Sequence, residues 1–158
     1  MPDRSTMRVL DASANRAREA VRVLEDAVRF LTDDCKATET LKTFRHDLAA
    51  AANRIPLHER LDSRDTVSDV GTQIAASDEY ERASIEKIIT ANFCRLQESL
   101  RSLEEFSKLA FPEWAPEFEQ LRYRSYTLQK TLCGLCAGVR AGAAPNRGPG
   151  SDGVGEKS

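Results

Sequence analysis

Arginines and acids recur in one pattern at two places in this chain. At an offset of 79 residues, Ala12–Phe30 and Ala91–Leu109 share six of nineteen positions: Ala12/Ala91, Arg16/Arg95, Glu19/Glu98, Arg22/Arg101, Leu24/Leu103 and Glu25/Glu104. Asp26/Glu105, Arg29/Lys108 and Val21/Leu100 match in type. At about 100° per residue, Glu19, Arg22 and Asp26 fall on one helix face, as do Glu98, Arg101 and Glu105. Guanidinium forks suit phosphate, and carboxylates suit a hard cation, so two such rows lining one cleft would serve phosphate chemistry. Between the rows lies a polar bend, Ser63 to Thr72, with Arg64, Asp65, Asp69 and Gly71. A plainer reading stands beside this one. It makes the rows solvated faces whose ion pairs are worth about 0.2–0.5 kcal/mol each, and the bend ordinary turn chemistry.

Other chemistries lack their parts. Seven of the eight glycines lie at or beyond Gly134, which excludes a Gly-rich phosphate loop and a dinucleotide fingerprint. Cys133-Gly134-Leu135-Cys136 supplies two zinc ligands with no second pair to complete a site. His46 and His58 stand outside any Glu-x-x-His motif, and no Gly-x-Ser-x-Gly elbow is present. A net charge of −2 on 158 residues argues against a nucleic-acid partner. No apolar run approaches the roughly 20 residues that span a bilayer, and the first residues lack a hydrophobic leader. With four cysteines in a chain this size, the expectation is a reduced, cytoplasmic protein that binds neither nucleic acid nor membrane.

The elements that must position these residues are helices. Ala17, Val21, Leu24, Val28 and Leu31 form a stripe on a first helix, capped by Asp11 or Ser13 and ended by Asp33 and Asp34. A second helix spans about 37–53, with Leu41, Phe44, Leu48 and Ile55 facing inward and Pro56 stopping it. A long helix over about 78–110 carries Ile85, Ile89, Phe93, Leu96, Leu100 and Leu103, and Pro112 and Pro116 bracket a break. A last helix carries Phe118, Leu121, Ser125, Leu128, Leu132 and Leu135. The prediction is an all-α bundle of four to five helices with one long polar internal loop. Residues 1–9 are expected as an N-terminal arm, 10–139 as the bundle and 140–158 as a disordered Gly/Pro/Ser-rich tail. Trp114, between its prolines, is expected to plug a bundle end.

Four motifs then occur in register: Asp11-Ala12-Ser13-Ala14-Asn15-Arg16 through Asp26, Ser63-Arg64-Asp65-Thr66 through Thr72, Ala91-Asn92-Phe93-Cys94-Arg95 through Phe106, and Leu121-Arg122-Tyr123-Arg124 through Leu128. Over residues 8–132 the chain resembles the small helical hydroxymethylpyrimidine-phosphate kinase family, a domain often fused ahead of thiamine-phosphate synthase. Two positions depart from the family pattern, Ser13 for Asn and Ala20 for Gly. The chain is too short and too helical to be the (β/α)₈ synthase itself. The resemblance implies a kinase of thiamine biosynthesis. It would move the ATP γ-phosphoryl group onto 4-amino-5-hydroxymethyl-2-methylpyrimidine phosphate, with Mg²⁺ as cofactor and a functional link to thiamine-phosphate synthase.

The acceptor in that reaction is a phosphate oxygen, largely dianionic above its second pKa of about 6, so no general base is required. What it needs is positive charge, since each unit pair at about 4 Å and an effective dielectric of about 20 is worth about 4 kcal/mol. Motif position and chemistry together nominate Arg101, Arg22 and Asp65 as catalytic. They nominate Asn15, Arg16, Arg64, Gly71, Thr72, Asn92, Arg95 and Arg122 for substrate and phosphate, and Glu19, Asp69 and Glu98 for metal. Two alternatives stay open: an Arg-lined helical enzyme acting on a small polyanion without ATP, as chorismate mutases do, and a non-catalytic helical interaction module of the pathway. The long helix also offers apolar surface for a homodimer.

Overall fold

The computed structural model describes residues 2–70 and 84–142. Five α-helices make it up: α1 (Arg4–Leu31), α2 (Cys35–Asn53), α3 (Leu57–Ser63), α4 (Ile85–Ala110) and α5 (Ala115–Gly142), with a 3₁₀ turn at Pro112–Trp114. The fold is all-α, and no strand occurs among the described residues. α1 and α4 pack against each other along most of their length, α2 flanks α1, and α5 flanks α4.

α1 begins earlier than its central stripe indicates, and residues 4–9 are helix rather than an arm. Met7 and Leu10 extend the buried series Ala14, Ala17, Val21, Leu24, Val28 backwards in alternating steps of three and four. Asp3 supplies the cap and accepts from the Ser5 amide at 2.8 Å and the Thr6 amide at 3.1 Å. The Thr6 hydroxyl and these amides hold the Asp3 carboxyl below its ordinary value of 3.8. Its stabilisation is therefore present above pH 3.8 and lost as pH falls through the lowered value. Asp3→Ala should lower the melting temperature at neutral pH, and the two proteins' melting curves should converge in acid.

Asp33, at φ 49°, turns the chain between α1 and α2, a conformation Asp tolerates better than most residues. Asp34 then caps α2 by accepting from the Ala37 amide at 2.8 Å. Leu41, Phe44, Leu48 and Ile55 are fully buried, as predicted. The segment after Pro56 is not all bend, because Leu57–Ser63 forms α3. Arg60 is buried there, and the Ser63 hydroxyl donates to its carbonyl at 2.7 Å. α4 begins at Ile85 under a Ser84 cap, and the part of its expected span over 78–83 lies outside the described residues. Trp114 stacks on Phe111 at 4.1 Å against the core. α5 buries Phe118, Leu121, Ser125 and Leu132, and it reaches Gly142. The tail expected beyond lies outside the described residues.

The repeat in sequence is a repeat of helical hairpins. Leu41, Phe44, Arg45 and Leu48 on α2 correspond to Phe118, Leu121, Arg122 and Ser125 on α5 at an offset of 77. That offset is two less than the offset relating α1 to α4, so equivalent positions on the paired helices lie two residues closer in sequence in the second hairpin. Each hairpin holds one buried glutamate on an arginine of its second helix. Arg45 Nε donates to Glu25 at 2.6 Å, and Arg122 Nε donates to Glu104 at 2.8 Å.

Candidate functional site

Three cavities take in most of the candidate residues. The first, about 250 Å³, lies where the start of α1 meets the end of α3 and residues 64–69. Its wall includes Arg8, Asp11, Asn15, Arg64, Asp65 and Asp69. Asp11, proposed from the sequence as a helix cap, is instead a buried anchor. It takes Arg64 in a two-bond fork, Nε to Oδ2 at 2.5 Å and Nη2 to Oδ1 at 3.1 Å. The Asn15 amide reaches the same carboxylate at 3.4 Å. Arg60 lies behind, 3.9 Å from Asp11, with its Nε buried and unpartnered among the described residues. Bonding to Asp11 pushes the Arg64 pKa up, while burial pushes that of Arg60 down. Asp65 accepts from the Ser68 amide at 3.0 Å, which holds its carboxyl below the usual range, and its carbonyl takes Arg8 at 3.3 Å.

The second cavity, about 390 Å³, is a groove between α1 and α4. Arg16 and Arg95, equivalent positions of the repeat, enter it from opposite helices beside Glu98, Ser99 and Ser102. Neither guanidinium, nor Glu98, makes an ion pair with any described residue. Two cations sharing one groove, neither ion-paired with a described residue, give it a charge that favours an anion. The third cavity, about 430 Å³, lies between α4 and α5 and is walled by Cys94, Gln97, Glu98, Arg101 and Tyr126. Arg101 donates there to Glu104 and Glu105, both at 2.8 Å.

These cavities adjoin but are not one pocket. Ala12 of the first and Arg16 of the second stand one helical turn apart on α1, and Glu98 walls both the second and the third. The structure brings Asn15, Arg64, Asp65 and Asp69 to one cavity and Arg16, Arg95 and Glu98 to another. Four expectations need correction. Arg22 lines none of the three; half-exposed, it stands 3.6 Å from Glu25, the plain i,i+3 pair. Asn92 turns its amide onto the Ile88 carbonyl of its own helix at 2.8 Å. Arg122 is buried on Glu104 and is not open to a phosphate; bonds to Tyr126 and Glu104 push its pKa up. Glu19 is exposed on α1 outside these cavities, Asp69 belongs to the first and Glu98 to the others. Accordingly, no group of three or more potential metal ligands gathers among the described residues. Gly71 and Thr72 lie outside the described residues.

Sequence reasoning missed Asp11, Glu25 and Glu104 as buried anchors, and Ser99, Ser102, Gln97 and Tyr126 as wall residues. Glu25 and Glu104 each follow a stripe leucine, a position on the edge of the buried face.

The sequence pattern of the ThiD2 family matches residues 8–131. The chain belongs to the ThiD2 family. A thiamine-phosphate synthase from Rhodopirellula baltica is 44% identical over 138 residues, covering 87% of this chain and 37% of that protein. Thiamine-phosphate synthases from Nostoc punctiforme and from a Synechocystis strain are 42% and 40% identical, each over 80% of this chain and 35% or 36% of their own length. The chain thus spans little more than a third of these relatives. No solved structure matches it significantly. The ThiD2 match takes in every wall residue of the three cavities. No described helix is long and apolar enough to cross a membrane.

Proposed function

We propose that this ThiD2 chain is a kinase of thiamine biosynthesis. It transfers the γ-phosphoryl group of ATP to 4-amino-5-hydroxymethyl-2-methylpyrimidine phosphate and yields the diphosphate. The relatives named thiamine-phosphate synthase support the pathway, and a synthase of that kind is the partner that would consume the product. The observation that carries the reaction class is the groove of Arg16 and Arg95, two guanidiniums with no acidic partner among the described residues. It adjoins a second polar cleft, so two anions could be held in neighbouring sites.

In this reading an oxygen of the acceptor phosphate attacks the γ-phosphorus, the bond to ADP breaks, and no proton has to be removed first. The chain's work is to overcome repulsion between two anions, and fixed guanidiniums do that. Mg²⁺ fits the donor set as a cation that arrives with the nucleotide: Glu98 is a carboxylate with no ion pair among the described residues, at the edge of the arginine groove. Held near Glu98, Mg²⁺ would neutralise part of the phosphate charge.

Incubation of the purified chain with Mg-ATP and the pyrimidine monophosphate, followed by phosphorus NMR, should show the diphosphate. The unphosphorylated alcohol lacks the dianionic nucleophile that needs no base and should react at least about 10³-fold more slowly. Equal turnover of alcohol and monophosphate would defeat this mechanism. No product from either would leave a non-catalytic module.

A further inference from the structure

The cavity between α4 and α5 has features that phosphate binding alone does not use. Tyr126 is 43% exposed on the flank of a helix whose core contacts are made by other residues. Two neighbours, Arg122 and Tyr123, brace its ring. Arg122 Nη1 donates to the Tyr126 hydroxyl at 3.4 Å, and Arg122 is itself anchored on Glu104. Tyr123 packs edge-on at 6.2 Å. A held aromatic at the wall of an open cleft is a stacking platform that costs little entropy on binding.

Beside it, Gln97 donates its amide to Gln129 at 2.8 Å, which orients the side chain and leaves its carbonyl oxygen free to accept a further bond. Arg101, held by Glu104 and Glu105, keeps further N–H groups of its five-donor guanidinium unused by those two pairs. A platform with one acceptor and several donors suits a planar heteroaromatic ring bearing an amine and ring nitrogens. The cleft ends at Glu98, where the Arg16–Arg95 groove begins. A molecule lying across both would place a base on Tyr126 and phosphates between the two arginines. At about 430 and 390 Å³, these two cavities suit the larger substrate, and the 250 Å³ cleft beside Asp65 suits the smaller.

We infer that the α4–α5 cleft of Tyr126, Gln97 and Arg101 holds the base of a nucleoside triphosphate, with its phosphates passing Glu98 to reach Arg16 and Arg95. This assignment rests on the kinase reading. Calorimetry on the full chain tests it, with a Mg-loaded, non-hydrolysable ATP analogue and, separately, the pyrimidine monophosphate. Tyr126→Ala and Tyr126→Leu should weaken the analogue by at least about tenfold, the usual scale for losing a base–aromatic stack. Tyr126→Phe should bind it within about twofold of wild type, and all three should keep their affinity for the pyrimidine monophosphate. Wild-type affinity for the analogue in both Tyr126→Ala and Tyr126→Leu overturns the site assignment and leaves the kinase reading standing. So does a loss that falls on the pyrimidine monophosphate instead. A wild-type chain that binds no analogue overturns both.

Discussion

Arg95→Ala should cut kcat/KM for phosphoryl transfer by about 10²-fold without lowering the melting temperature. The size follows from charge. A guanidinium about 4 Å from a phosphate oxygen at an effective dielectric of about 20 contributes about 4 kcal/mol, and solvent at an open rim reduces this to roughly 2–3 kcal/mol. The direction on stability follows from what Arg95 lacks. It shares a groove with Arg16, and neither has an acidic partner among the described residues, so removing one cation relieves repulsion in the empty protein. Arg16→Ala should behave alike, and the double variant should lose less than the product of the single losses, because both arginines grip one ligand. Arg95→Lys keeps the charge but not the planar fork, and should recover only part of the rate. Steady-state kinetics with parallel melts would check this. Unchanged turnover in Arg16→Ala and Arg95→Ala would return the groove to a solvated surface.

The helices were legible because their apolar residues keep to steps of three and four, and the predicted stripe residues Val21, Leu24, Leu41, Phe44, Leu96, Leu103 and Phe118 are all buried. α3 was not legible. Its first residues carry no pattern and its last were read as part of the polar bend, while Arg60 is buried there beside Asp11 of α1, a tertiary contact. Helical periodicity placed Glu19 and Arg22 outward, as found, but could not tell outward into solvent from outward into a neighbouring helix. Arg16 and Arg95 face each other only because α1 packs on α4, and nothing local in either helix reveals that. The expected common pocket divided for a related reason. The acids of the bend are occupied locally, Asp65 by the Ser68 amide, and Asp11, assigned to helix capping, reaches across to hold Arg64. Tyr126 carried no signal of its own, because a single aromatic on an outer helix has no period to read.

Glu104→Ala should destabilise the fold by about 3–5 kcal/mol, the usual result of leaving a buried cation alone. In a chain of this length that is a fall of about 10 °C in melting temperature. Glu104 is buried, it takes Arg122 Nε at 2.8 Å, and Arg101 and Lys108 approach from the solvent side at 2.8 and 3.6 Å. Arg101 and Lys108 can turn to water when the carboxylate goes. Arg122 cannot, with its side chain only 10% exposed. The equivalent change in the first hairpin, Glu25→Ala, should cost less, because Arg45 is 23% exposed and can be hydrated where it stands. That difference between two copies of one motif follows the burial of the arginine left behind, 10% exposed in one and 23% in the other. Urea titrations with unchanged m-values would measure it. Pairing Glu104→Leu with Arg122→Met should restore much of the loss, since an apolar pair of similar volume removes the stranded charge. A Glu104→Ala variant as stable as wild type would place this glutamate back among the solvent-facing acids.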